Sequence, residues 1–523
     1  MEMQENSARD FPRASARLLA LLTAGLLLGA GGASASDAKK IWITVGDAAY
    51  AKLKTIAPQA IGRESQSRMG SDKIHLVEVD EEQMLKLSAA VHHELKRCGG
   101  FMFHASESAG MQALAMPTAN TLAAITRPTY VVDNQAVVTP MLSQLQDSNI
   151  AQTIIDMSTY TNRYYTTAGG SDASNWLKQK WTSMAAGRSD ISVAQFTHGA
   201  FPQKSVIVTI AGSDNAAEVV VLGAHLDSIN TAGTTETTRA PGADDDASGI
   251  ASITEALRAM IANGYKPRRT IKMIGYAAEE VGLRGSQEIA QNFKANNVNV
   301  VGVMQLDMTN YKGSANDIYI YTDYTDSLQN DFMAKLAATY LPTLSIGYDK
   351  CGYGCSDHAS WNAQGYATSL PFESTMAQYD PYIHSANDTF ANTGNQALHA
   401  LKFARLALAY AVELGSDGAG TLPTPDKVET FSGTLALGQK KSFGPYKVGA
   451  GGSFKAETTG TGDVDVYVRK TSVPTTSTYT CKSDGSTSTE TCTVSMSANG
   501  DIYVLLNGYK ASSYTLKLTY RPQ

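Results

Sequence analysis

Three regimes of hydrophobic patterning divide this chain. From residue 37 to about 104, short apolar runs alternate with helical stretches. Ile41-Trp42-Ile43-Thr44-Val45 reads as a strand and Asp47 to Ala57 as a helix; Ile74 to Val79 is a second strand, Glu81 to Arg97 a helix, and Phe101-Met102-Phe103 a third strand. Ala105 to Pro128 lacks periodicity and suits a linker open to processing. From about 129 to 415 the opening is helical and aromatic, through Tyr160, Tyr164, Tyr165, Trp176 and Trp181. Strand runs Val206 to Ile210, Val219 to Leu222, Thr270 to Tyr276 and Val298 to Gln305 then alternate with helices Ala247 to Asn263, Gly285 to Asn296 and Gln396 to Leu414. Such alternation predicts an α/β domain built on a mixed, mostly parallel sheet flanked by helices. Past the Gly/Ser/Pro-rich stretch Gly415 to Pro425, residues 430 to 520 turn rich in Thr, Ser, Gly and Tyr. Their short alternating strands, such as Asp465-Val466-Tyr467-Val468, predict an all-β sandwich.

The 523 residues are too many for one ordinary domain. Ahead of the first regime, Arg13 and Arg17 precede the apolar run Leu18 to Leu28, followed by Ala33-Ser34-Ala35. That order reads as an export signal, and the run is short for a membrane anchor. The expected organisation is a signal at 1–35, an α+β pro-segment at 36–128, the large domain at 129–418 and the sandwich at 426–523. Its position and its β-α-β-α-β pattern suggest that the pro-segment acts as folding aid or inhibitor. The expected product is secreted, with periplasmic transit open, carries no membrane span and is a monomer. A net charge of −6 leaves no basic surface, so nucleic acid is not an expected partner. Export also suits disulfides. Cys351 and Cys355 flank a Gly-Tyr-Gly turn, Cys481 and Cys492 could staple a hairpin, and Cys98 is left over. Half a zinc knuckle is the other reading of Cys351 and Cys355, but no second thiol pair stands nearby.

The candidate chemistry lies in the large domain. His225, Asp245, the adjacent pair Glu279 and Glu280, Asp307 and His384 mostly follow apolar runs, where a strand ends and hands its next side chain to a cleft. Two imidazoles and several carboxylates in one cleft would repel one another unless cations neutralised them, which points to a two-metal hydrolytic site. Glu279 and Glu280 could divide the work, one directed at a water and the other at a metal. Singly, each residue has an ordinary role. Asp244 to Asp246 suits a turn or cap, and Glu279-Glu280 a solvated helix start. His358 reads as structural within the cysteine turn, and His198 and His399 as surface residues.

Five strings carry a resemblance from about Ser158 to Gly415. They are Gly223-Ala224-His225-Leu226-Asp227-Ser228, Ala240 through Gly249, Tyr276 through Ser286, Leu306 through Gly313, and Cys351 through Trp361. In this order they resemble the secreted bacterial leucyl aminopeptidases, the co-catalytic di-zinc exopeptidases. The resemblance implies two Zn2+ per chain bridged by Asp245, with Glu280 and His384 completing one metal site and His225 and Asp307 the other. It further implies Glu279 as general base, Asp227 as hydrogen-bond partner of His225, and a cis peptide after Asp245. The substrates implied are peptides with a free N-terminus. Their first side chain would enter an apolar pocket of Met308, Tyr353, Phe372, Tyr379 and Ile383, with Leu370 and Met376 beside it and Tyr321 bearing on its depth. Asn387-Asp388-Thr389 matches a glycan acceptor, but Asp388 beside His384 reads better as support for the site. The segment with Gly444-Pro445-Tyr446, Gly462 through Tyr467 and Tyr514-Thr515-Leu516 resembles the β-sandwich appended to many secreted peptidases. Two rival readings follow. One is a carboxypeptidase, deacylase or glutaminyl cyclase of the same fold, and the other a non-catalytic protein attaching through its sandwich.

Overall fold

Val219-Val220-Val221-Leu222 is buried on both faces, as a strand central to a helix-covered sheet must be. The computed structural model describes residues 40–69, 72–95, 100–115, 128–416, 427–449, 453–496, 499–520 and 522. The export signal, Cys98, most of the linker after residue 115 and residues 417–426 lie outside them. Asn215–His225 is fifth among eight strands, in the order Ile346–Asp349, Ile318–Tyr321, Thr368–Phe372, Asn299–Gln305, Asn215–His225, Arg269–Tyr276, Ser205–Ile210, Ile191–Phe196. It pairs in parallel with Arg269–Tyr276 and with Asn299–Gln305, while antiparallel pairs occur nearer the edges. This is the mixed α/β sheet that the alternation predicts.

The parallel trio decides where chemistry can occur. All three strands release the chain at one sheet edge: His225 ends the first, Ala277-Ala278-Glu279-Glu280 follow the second, and Leu306-Asp307 follow the third. Helix Ala247–Ala262 lies behind that edge, packed against Leu398–Ser416 and Asp147–Ser158, with almost every side chain buried. Its N-cap is Asp246, whose carboxylate accepts from Gly249 N at 2.8 Å.

Ahead of this domain, four antiparallel strands run in the order Arg63–Met69, Asp72–Val79, Ile41–Gly46, Phe101–His104, with helices Asp47–Ile56, Glu81–Leu95 and Glu107–Ala115. The three-strand expectation misses Arg63–Met69, because Arg-Glu-Ser-Gln-Ser-Arg-Met has no apolar alternation; it is an edge strand held by pairing. Glu107–Ala115 also corrects the aperiodic reading after Ala105, its helix being written in Ala-rich propensity rather than in an apolar stripe.

The C-terminal sandwich stacks two four-stranded sheets, ordered Lys427–Leu435, Ser512–Tyr520, Ser453–Thr461, Glu490–Ser495 and Lys440–Val448, Gly500–Gly508, Val464–Lys470, Cys481–Ser483. Val464, Val466 and Val468 alternate into its core. Cys351–Cys355 and Cys481–Cys492 are both bonded. The second bond joins strands of opposite sheets rather than stapling a hairpin within one. Among the described residues, no helix is long and apolar enough to cross a membrane.

Candidate metal centre

Asp245 meets two imidazoles with its two oxygens. Oδ1 lies 2.9 Å from His225 Nε2, and Oδ2 lies 3.2 Å from His384 Nε2. Glu280 Oε2 is 2.9 Å from His384 Nε2, and Asp307 Oδ1 is 3.5 Å from His225 Nε2. All five side chains are buried. Donor atoms of His225, Asp245 and Glu280, and of His225, Asp246 and Asp307, come within 4.8 Å of one another. The residues expected to act together are thus brought together. A carboxylate with one oxygen toward each of two nitrogen donors is the arrangement a bridging ligand needs, and the mixed nitrogen and oxygen donors suit zinc.

The electrostatics of the metal-free protein fit the same reading. Burial pulls His225 down, but Asp307, Asp227 and Asp245 outweigh it and hold the imidazole well above its ordinary pKa. His384 is likewise depressed by burial and raised more strongly by Glu280 and Asp245, to about 10. Burial and then Asp245 push Glu280 up to about 7 against the pull of His384. Burial, with Asp307, Asp357 and Glu280, raises Glu279 well above the usual range. The raised groups owe their shifts to buried acids crowded together, a charge excess that bound cations would offset.

The loops holding these donors are fixed by main-chain bonds. His225 Nδ1 donates to the Asp227 carbonyl at 3.1 Å, which orients the ring with Nε2 facing the cluster. The expected carboxylate contact is longer, at 3.6 Å. Instead the Asp227 carboxylate accepts from Glu279 N at 2.9 Å and Glu280 N at 3.1 Å, gripping the acid pair by its backbone. Asp388 does the same for the bridging loop, accepting from Asp244 N at 2.8 Å and Asp245 N at 3.1 Å. Asp246 accepts from the amides of His225 and Met308, and its peptide bond to Asp245 is cis. Ala278, Met308 and His384 hold non-glycine residues at φ of 54–58°, beside or at the donors, where backbone strain collects at functional sites.

Met308, Tyr353, Phe372, Tyr379 and Ile383 pack in one apolar cluster with Leu370, Met376, Tyr321 and the Cys351–Cys355 bridge. The Tyr321 hydroxyl donates to Ser374 O at 3.1 Å, which pins its ring against Phe372, 4.9 Å between centroids.

Two histidines need correction. His198 and His399 are buried, not on the surface. His198 stacks on Phe201 and bonds Glu288 at 2.9 Å and Ser205 Oγ at 2.8 Å, and Ser205 accepts from Ala277 N. Ser205 is sealed from solvent, so this Ser-His-Glu line steadies the approach to Glu279 and offers no nucleophile. His399 faces the Glu373 carbonyl at 3.4 Å. Sequence reasoning missed Arg163 altogether, a fully buried guanidinium behind the site whose local sequence, Asn162-Arg163-Tyr164, carries no motif.

Residues 205–409 match the profile of Peptidase family M28, and 447–508 that of the Bacterial pre-peptidase C-terminal domain. Leucine aminopeptidase 1 of Arthroderma otae is 33% identical over 385 residues, covering 69% of this chain and 100% of the fungal protein. Among solved structures, the LapA aminopeptidase of Legionella pneumophila aligns at TM-score 0.62 and 32% identity, over 73% of this chain and 100% of its own. LapB of Legionella pneumophila aligns at TM-score 0.60 and 30% identity, over 72% and 100%.

Proposed function

The chain belongs to peptidase family M28, and from that premise we propose a secreted aminopeptidase that holds two zinc ions and releases N-terminal hydrophobic residues, leucine above all. The observation carrying this reading is the split contact of Asp245, one oxygen toward His225 and the other toward His384. His225 and Asp307 would hold one ion, Glu280 and His384 the other, with Asp245 between. When bound, such a pair polarises a carbonyl and acidifies a water. Glu279 would serve as general base, accepting a proton from the attacking water and passing it to the departing amine, its main chain steadied by Asp227. The apolar cluster around Phe372 and Ile383 receives the first side chain, worth about 1.5–3 kcal/mol for a leucine or phenylalanine. The free amine lies against the buried acids, which limits cleavage to one residue at a time. The test compares leucine p-nitroanilide with its N-acetylated form. Hydrolysis of the free amine alone is expected; equal rates would replace this reading with a deacylase or another M28 activity.

The N-terminal module is proposed as a pro-segment that covers the site. Ile43, Val45 and Phe101 share a core with Ala277, Ala278 and Val281, which flank the acid pair. Phe103 N donates to Gly282 O at 2.9 Å, and the Arg284 guanidinium lies 4.1 Å from the Phe103 ring. On helix Glu81–Leu95, the His92 ring lies 5.1 Å from that of His384 and 6.3 Å from that of Tyr379. A peptide's first residue would need this space. In the same assay, proteolytic removal of the module should raise leucine release at least tenfold; an intact chain as active as the cleaved one would end the inhibitory role.

A further inference from the structure

We propose that Arg163 is a positioning residue that clamps the two metal-bearing loops together and holds the ligand set assembled before any cation arrives. The inference deepens the di-metal reading and rests on it. Arg163 lies in the turn between helices Asp147–Ser158 and Ala168–Met184 and is 0% exposed. Its Nε donates to Leu226 O at 2.7 Å and Nη2 to Gly242 O at 2.9 Å; Nη1 donates to Pro241 O and to Met157 O. Its main chain takes part as well, N donating to Ser228 Oγ at 3.0 Å and O accepting from Gln203 Nε2 at 3.1 Å.

The positions of those acceptors give the residue its role. Leu226 stands between His225, a proposed ligand, and Asp227, which grips the amides of Glu279 and Glu280. Pro241 and Gly242 open the loop that carries Asp245. One planar guanidinium therefore spans both walls of the centre, and every one of its side-chain bonds ends on a main-chain carbonyl. Such a spread needs the fork of an arginine, since lysine offers its donors from one point. Gly242 independently fits this purpose. Its φ is +54°, and a Cβ there would stand 2.5 Å from Asp245 O, 2.6 Å from Ser228 Cβ and 2.7 Å from Arg163 Nη2, so the bare backbone lets the loop and the guanidinium close together.

Burying a charge this deep is costly unless other charges answer it. Burial pulls the Arg163 pKa below its ordinary value, and Asp388, Asp227, Asp246 and Asp245 act through space to oppose that pull in part. Three of these four are outside the proposed ligand set. Arg163 thus answers mainly the supporting acids, with Asp245 the one proposed ligand among the four. Loss of a residue that orients ligands in this way typically weakens metal binding by about 10–100-fold.

The test uses the full chain as wild type, Arg163→Lys and Arg163→Met, with zinc affinity measured by competition against a chromophoric chelator. Both variants are expected to bind zinc on the order of 10–100-fold more weakly, with turnover recovering as zinc is added. A variant that is merely less stable, with unchanged zinc affinity in its folded fraction, overturns the proposal. Hydrogen exchange on the metal-free wild type needs no variant at all. Amides of residues 225–228 and 242–246 should stay protected without zinc, and free exchange there would equally overturn it. A wild-type chain that binds no zinc would sink the di-metal reading itself, whereas one that binds zinc without cleaving leucine p-nitroanilide would fail only the aminopeptidase assignment.

Discussion

Glu279→Gln is expected to lower kcat on leucine p-nitroanilide by about 10²–10⁴-fold, the usual share of a general base, while both zinc ions stay bound. The geometry separates the two glutamates. Glu280 reaches His384 at 2.9 Å and is committed to the donor cluster, whereas no ion pair ties the Glu279 carboxylate to either histidine among the described residues. Its main chain is held by Asp227, so the amide substitution leaves the loop in place and removes only basicity. In the metal-free protein, burial and the neighbouring acids hold Glu279 protonated well above the ordinary carboxyl range. Two bound cations oppose that effect and free the carboxylate to accept a proton. Steady-state kinetics with metal analysis on the same sample checks this. Loss of zinc in step with activity would make Glu279 a ligand instead.

Stripping the metals should produce a chain whose stability falls as pH rises, a trend that zinc abolishes. The sign follows from two groups. Glu280, raised to about 7 from 4.5, binds its proton more tightly folded than unfolded, so its contribution is full below pH 4.5 and lost by about pH 7. His384, raised to about 10 from 6.5, contributes fully below pH 6.5 and loses that contribution toward pH 10. Both therefore favour the folded metal-free chain at low pH. Asp245 is shifted the other way by its hydrogen bonds with His225 and His384, against burial, and sets the acid limit. Zinc displaces the same protons, so its affinity should climb over the same range. Each site occupied at 100 times its Kd adds about 2.7 kcal/mol. Thermal melts with and without chelator between pH 5 and pH 9 would measure the gap, expected to widen with pH; a gap that narrows or vanishes contradicts the ligand assignment.

The residues that sequence reading found are those whose chemistry is written locally. His225 ends a strand, Glu279-Glu280 and Asp307 follow strands, and three parallel strands side by side bring such positions to one edge. His384 lacks a strand before it, so its place among the candidates rests on its residue type and its specific role only on the resemblance. The supports were harder. Asp388 and Arg163 lie 143 and 82 residues from Asp245, and both act on loop backbone, which leaves no periodic trace. His198 and His399 were misplaced for a related reason. A histidine satisfied by Glu288 and Ser205, or by a carbonyl, can be buried without any apolar pattern announcing it. The edge strand Arg63–Met69 escaped because pairing rather than hydrophobicity makes it a strand.

Diffraction from crystals of the zinc-loaded chain, recorded on both sides of the zinc absorption edge, tests the centre most directly. Two anomalous peaks should flank the Asp245 carboxylate, each about 2.0–2.2 Å from its donors, one beside His225 and Asp307 and the other beside Glu280 and His384. A single peak, or peaks away from Asp245, would contradict the account.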